Sequence, residues 1–198
     1  MKKILLIGAT GLLGKAIAEK YQGEAEVISA SFNHAENPVD ISNVESLQAL
    51  FNKVGEVDAI ICTAGVAHLK PLAETADSDW QFAINNKMMG QINTVRYGNK
   101  FVKNGGAIVL TTGVLAQYPF PGSSMVTTVN IAVEGAIKAS ALELENIRIN
   151  AVSPGWIKET MEAMGMGSEP GMPAADVAQY FVDLVDNSTS GDIVVAAK

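Results

Sequence analysis

Lys2-Lys3-Ile4-Leu5-Leu6-Ile7-Gly8-Ala9-Thr10-Gly11-Leu12-Leu13-Gly14 is the stretch on which the reading of this chain turns. An apolar run enters a turn with glycines at 8, 11 and 14, and an amphipathic pattern follows. A strand, a glycine-rich turn and a helix N-terminus together make a site for a pyrophosphate, because free N–H groups and the helix dipole face the anion. Glycine lets the backbone turn sharply and keeps Cβ atoms out of the anion's path. Three spaced glycines alone also fit an ordinary tight turn; the strand before them and the helix after them turn the reading towards a nucleotide.

The totals narrow the class. With 198 residues the chain can build one domain with a full core. Hydrophobic residues make up 48% and charged ones 18%, a globular balance. The net charge is −7 and no basic cluster occurs, so nucleic acid is not an expected partner, since neutralising phosphates takes lysine and arginine in number. Cys62 is the single cysteine, which excludes an intrachain disulfide, and His34 and His68 sit in no metal-ligand pattern. No apolar run reaches membrane-spanning length. The run after Lys2-Lys3 is too short for the core of a signal peptide. The expected setting is cytoplasmic, without a membrane partner.

Strand and helix patterns alternate along the whole chain. Strands are expected at 4–7, 26–30, 39–41, 57–62, 107–112, 147–152 and 192–196. Helices are expected at 12–21, with Leu12, Leu13, Ala16 and Ile17 turned inward, and at about 42–54, where Ser42 and Glu45 form a capping box. Further helices are expected from Asp77 or Ser78 to about 101, over 124–144 and over 174–185, and Gly105-Gly106 is expected to break the chain. Residues 157–173 hold four methionines, three glycines and two prolines and read as a mobile, apolar lid loop. Repeated βα units with continuously apolar strands indicate an α/β fold, a doubly wound parallel sheet in one domain spanning residues 1–198. Ligands of such sheets sit beyond the carboxyl ends of the strands, here segments 8–14, 31–41, 62–72, 111–122 and 153–171.

Over essentially its whole length the chain resembles the short-chain dehydrogenase/reductase family. Gly8-Ala9-Thr10-Gly11-Leu12-Leu13-Gly14 is similar to that family's glycine motif, and Val39-Asp40-Ile41-Ser42 to its adenine-binding aspartate segment. Cys62-Thr63-Ala64-Gly65 resembles a variant of Asn-Asn-Ala-Gly, and Ile147-Arg148-Ile149-Asn150-Ala151-Val152-Ser153-Pro154-Gly155 the strand that ends near the nicotinamide. The resemblance implies a Rossmann-like fold and NAD(P)H-dependent reduction of a small carbonyl or oxidation of an alcohol. It implies cofactor contacts at Gly8, Thr10, Gly11, Leu12, Leu13, Gly14, Ser31, Asp40, Ile41, Thr63, Ala64, Gly65, Lys87, Thr111, Pro154, Gly155, Trp156 and Ile157. It also implies a homodimer or homotetramer paired through the two long helices after strands four and five; Met88, Met89, Ile92 and Val95 give the first of these apolar surface, part of which must face the sheet.

The family works with Asn, Ser, Tyr and Lys, and this chain departs at all four. Aligned backward from Ala141-Leu142-Glu143-Leu144, Y-x-x-x-K falls on Val126-Thr127-Thr128-Val129-Asn130. The strand-end Ser falls on Gly113, after Thr111-Thr112, and the helix Asn falls on Lys87. No Y-x-x-x-K occurs anywhere in the chain. Amide and amine have thus changed places between positions 87 and 130, which in the family lie close together. The expectation is that Lys87 takes over the ribose-binding role beside Asn130; a surface lysine is the alternative.

Candidates for the remaining chemistry are Thr112, which can polarise a carbonyl or simply bond to backbone, and Tyr118, a proton donor or a packing lid. His68 is read as a solvated loop residue, Cys62 as a small buried one, and Tyr97 and Tyr180 as packing residues. The end of strand two, Ser29-Ala30-Ser31-Phe32-Asn33, lacks the acid that bonds an NAD ribose. That favours NADP(H), with Ser31 and Asn33 as donors to a 2′-phosphate, over NAD(H). The connection from strand two to Asp40 is too short for a crossover helix. Two functions stay open at this point: an atypical reductase, or a catalytically inactive dinucleotide-binding regulator or scaffold. Nucleotide-sugar epimerases share the G-x-x-G-x-x-G turn but keep Y-x-x-x-K and carry a larger C-terminal domain.

Overall fold

Strands β1 (Lys2–Ile7), β2 (Ala25–Ala30), β3 (Val57–Cys62), β4 (Val102–Thr111), β5 (Arg148–Pro154) and β6 (Ile193–Ala196) form one sheet in the computed structural model. The structure describes residues 1–33, 36–167 and 171–198. The spatial order is β2-β1-β3-β4-β5-β6, and every neighbouring pair is parallel. The chain leaves β1 towards β2 on one side and later places β3 on the other. The crevice beyond β1 and β3 is therefore the switch point where such sheets bind ligands.

Helices α1 (Leu12–Lys20), α2 (Val44–Val54), α3 (Asp77–Ala83), α4 (Gly90–Gly98), α5 (Ser124–Glu143), α6 (Lys158–Ala163) and α7 (Ala174–Asp186) complete the fold. Strand side chains alternate between two core layers. Leu5, Ile7, Ile60, Ile108 and Leu110 meet α2, α4 and α5 through Phe51, Val95, Val133 and Ile137. Ile4, Leu6, Ile61 and Val109 meet α1 and α7 through Ile17, Val177 and Phe181. Burial on both faces is why the strands read as unbroken apolar runs. Truncating Phe51 or Phe181, both fully buried, would cost about 3–5 kcal/mol each. Among the described residues no helix is long and apolar enough to cross a membrane.

Several local expectations are corrected. Residues 39–41 form no strand; Ser31 and Pro38 make an isolated bridge instead, and no helix occurs among the described residues between β2 and α2. Ser42 does not cap α2: its hydroxyl turns to the Asp40 carboxylate at 2.6 Å, and Asn43 accepts from the Ser46 N–H at 2.8 Å. Ala76, not Asp77 or Ser78, occupies the N-cap of α3, and the Asp79 carboxylate accepts its N–H at 2.9 Å.

Between α3 and α4 the helix passes through a wider, π-type turn at Ile84–Met89, and a tight 3₁₀ turn at Asn99–Phe101 ends it. Gly105-Gly106 interrupts the pairing with β3 without ending the strand: the partners jump from Val57–Val102 to Ala59–Ala107, and Gly105 has φ +77°. β4 runs through both residues, because a Cβ-free Gly106 fits where a side chain would lie 2.4 Å from the Asp58 carbonyl. Leu12 is exposed while Ala16 and Ile17 are buried. The segment expected as a loop at 157–173 contains α6. It is pinned by an Ile157–Met172 bridge and by the Glu159 carboxylate on the Ala174 N–H at 3.0 Å. His34 and residues 168–170 lie outside the described residues.

Candidate active site

The turn after β1 opens onto the switch point, and its three glycines have different reasons. Gly8 has φ +93°, and a Cβ there would lie 2.5 Å from Thr63 Oγ1. A Cβ on Gly14 would lie 2.1 Å from the Gly8 carbonyl oxygen. Both residues answer to the protein's own packing. Gly11 is crowded by nothing nearer than 3.4 Å, and with Gly8 and Thr10 it faces a cavity of about 570 Å³. Its absent side chain leaves room for a ligand at the start of α1.

That cavity is also walled by Ser31, Asp40, Ile41, Thr63, Ala64 and Gly65. Phe32, Val66, Phe82 and Asn86 join them, and the sequence reading named none of these four as site residues. The Ser31 hydroxyl is buried without a hydrogen-bond partner among the described residues. The Asp40 carboxylate is engaged by the N–H and hydroxyl of Ser42, so it serves the turn before α2. Leu12 and Leu13 lie outside the cavity wall; Leu13 packs towards the α1–α7 core layer. His68 is exposed and stacks on Phe82, with ring centroids 5.4 Å apart.

A second cavity of about 290 Å³ adjoins the first at Gly65. Lys87, Thr112, Asn130, Pro154, Gly155 and Trp156 line it, with Ala67, Leu69, Gly113, Val114, Leu115 and Val126. Lys87 and Asn130, placed together by sequence reasoning, do face one space. Tyr118 does not join them: it is 72% exposed and outside the cavity wall. Ile157 is likewise outside, packed against the α1–α7 core layer. The Thr111 side chain points into the sheet, where its hydroxyl donates to the Cys62 carbonyl at 2.8 Å. Cys62 is buried, and burial pushes its thiol up to about 11.

Lys87 stands on the π-type turn and is only 8% exposed. Its Nζ donates to the Thr111 carbonyl at 2.7 Å. Burial draws its pKa down from 10.5 to about 8, because the charged form loses water. Gly65 leaves space for its stem; a Cβ there would lie 2.9 Å from Lys87 Cδ. Gly113 does the same for the partner residue, since a Cβ would lie 3.1 Å from Asn130 Nδ2. Asn130 is buried, and its Oδ1 has no partner among the described residues. A buried amide oxygen left unpaired costs free energy unless a ligand donor reaches it.

The family model described as enoyl-(acyl carrier protein) reductase matches residues 8–195. The chain belongs to the short-chain dehydrogenase/reductase family. The crystal structure of lin1944 from Listeria innocua is 35% identical, with a TM-score of 0.94, over 98% of this chain and 99% of that one. A small-chain dehydrogenase solved in complex with NADPH is 26% identical, with a TM-score of 0.88, over 98% of this chain and 96% of that one. An uncharacterized oxidoreductase of Schizosaccharomyces pombe is 27% identical over 98% of this chain and 85% of its own length.

The chain carries the glycine turn at one end of this site and the Ser153-Pro154-Gly155 strand end at the other. Two buried polar residues at this centre escaped the sequence reading. Gln91 Nε2 donates to the Ala64 carbonyl at 2.7 Å, and its Oε1 accepts from the Thr111 N–H at 3.3 Å, bracing the two strand ends. Glu134 accepts from Thr112 and Gln117. The one available signal was spacing: Val126, Asn130 and Glu134 follow at intervals of four and share a helix face.

Proposed function

We propose that this chain is an NADP(H)-dependent oxidoreductase that interconverts a small carbonyl and an alcohol through a rebuilt active site. The observation that carries this reading is the convergence of Lys87 and Asn130 on one cavity. A scaffold has no need to hold a buried amine there against its desolvation. The residues fit a dinucleotide: an open glycine turn for the pyrophosphate, a buried Ser31 hydroxyl at the end of β2, and the Asn130 amide oxygen, both without a partner among the described residues. When bound, the nicotinamide supplies or takes the hydride.

The protein's own part follows from its groups. Gly11 lets the start of α1 approach the pyrophosphate. Ser31, with no acid beside it at the end of β2, suits a 2′-phosphate and favours NADP(H) over NAD(H). Lys87 Nζ keeps donors beyond its bond to Thr111 and holds a ribose hydroxyl, while Asn130 Oδ1 accepts from another. With a pKa of about 8, Lys87 can also give or take a proton near neutrality. Titrating cofactor-stripped protein with NADPH and NADH, followed by nicotinamide fluorescence, tests the reading. Tight NADPH binding and turnover of small carbonyls support it; binding of neither cofactor overturns it.

The second reading, a dinucleotide-binding regulator without turnover, is favoured by Val126 at the position where the family has its tyrosine. NADPH binding without turnover of any carbonyl would select it. Ile131 and Leu142, exposed on α5, supply apolar surface for a homodimer or homotetramer, whereas Val95 is buried in the core and does not.

A further inference from the structure

Glu134 is 9% exposed, and no cation pairs with it among the ion pairs of the described residues. Its Oε1 accepts from Thr112 Oγ1 at 3.0 Å, and its two oxygens accept from Gln117 Nε2 at 3.1 and 2.9 Å. A carboxylate only accepts, and a threonine hydroxyl has one proton and two lone pairs. With that proton committed to Glu134, the hydroxyl turns only lone pairs towards the cavity that Thr112 lines. This reverses the expectation that Thr112 polarises a carbonyl. A carbonyl oxygen placed there would meet another acceptor, whereas a hydroxyl would meet a partner.

We propose that Glu134 is a positioning residue that fixes Thr112 as a hydrogen-bond acceptor, so that the cavity selects a neutral alcohol with an apolar body. The inference rests on the reading of this cavity as the substrate site. Val114, Leu115, Val126 and Trp156 provide the apolar walls. The same carboxylate ties down Gln117, at the end of the short turn that carries Val114 and Leu115, so one buried residue sets both the polarity of the floor and the position of a wall. Glu134→Gln reverses the polarity: its amide N–H can donate to Thr112 Oγ1, which frees the hydroxyl proton for the cavity.

The test uses two probes of matched size, 1-phenylethanol and acetophenone, titrated into the cofactor-free protein while the amide signals of Thr112 and Gly113 are followed by NMR. Thr112→Val should weaken the alcohol about fivefold, the worth of one neutral hydrogen bond, and leave the ketone unchanged. Glu134→Gln should tighten the ketone and shrink the preference for the alcohol, which can accept from the freed hydroxyl as well as donate to it, but should not change their ratio when Thr112 is already Val. Three results overturn the proposal: Thr112→Val weakening both probes equally, Glu134→Gln leaving the ratio as in the parent, or neither probe shifting these amides. If Glu134→Gln does not fold, the Thr112→Val comparison decides alone. NADPH titration of the same samples reports separately on the cofactor reading. Its failure with the alcohol selection intact would remove that reading and keep the polarity assignment.

Discussion

Lys87 Nζ reaches the Thr111 carbonyl oxygen at 2.7 Å and so ties the helical turn before α4 to the end of β4. The contact is written into other positions as well, since Gly65 must lack a side chain for the lysine stem to pass. This buried amine, beside the Gly65 that both cavities share, is what the proposed function leans on.

Replacing Lys87 by Ala should therefore weaken NADPH binding by roughly 10- to 100-fold, the range for a charge-assisted hydrogen bond, while the protein stays folded. Nicotinamide fluorescence titration beside a thermal melt checks both halves. Unchanged affinity would remove Lys87 from the cofactor site.

The same burial has a pH signature. The folded pKa of Lys87, about 8, lies below its ordinary 10.5, so between these values the unfolded chain binds more protons than the folded one. Stability then rises with pH across that window, and at lower pH the fold carries the full cost of the buried charge. Urea unfolding at pH 7.5 and pH 10.5, compared with Lys87→Met, should show a difference of up to about 3 kcal/mol in favour of the parent at the higher pH.

Amide and amine should prove coupled. Asn130→Lys alone puts a second ammonium into the cavity of Lys87 and should destabilise the protein. Adding Lys87→Asn should recover a substantial part of the loss, with a coupling of at least about 1 kcal/mol in a double-mutant cycle. Additive effects would mean that the two positions do not share one environment.

The glycine turn separates packing from binding. Gly14→Ala drives a Cβ to 2.1 Å from backbone and should cost about 3 kcal/mol or more, read as a lowered urea midpoint. Gly11→Ala meets nothing nearer than 3.4 Å, so the fold should hold while NADPH affinity falls.

The sheet was legible because burial on both faces leaves an unmistakable run such as Val57–Cys62, which the structure reproduces at both ends. Helix starts were less so, because short polar side chains compete for the same donors. Ser42 had the spacing of a cap, but Asp40 two residues earlier captured its hydroxyl. At the site, the glycine turn and the placing of Lys87 and Asn130 on one cavity could be read, since both came from comparison with a known pattern. Glu134 could not: a single carboxylate on a helix reads as solvent-facing, and only the tertiary approach of Thr112 and Gln117 shows otherwise. Tyr118 failed for the opposite reason, its chemistry being suitable and its backbone carrying it out to solvent.

The π-type turn at Ile84–Met89 makes the position of the amine a matter of arithmetic. Such a turn holds one residue more than a regular helical turn. Deleting the surplus residue would let the helix close into an ordinary spiral with α3 and α4 still in phase, so that only the residues of the wide turn, Lys87 among them, would change direction. One lost codon here would thus turn the amine out of its cavity while leaving both flanking helices seated on the sheet.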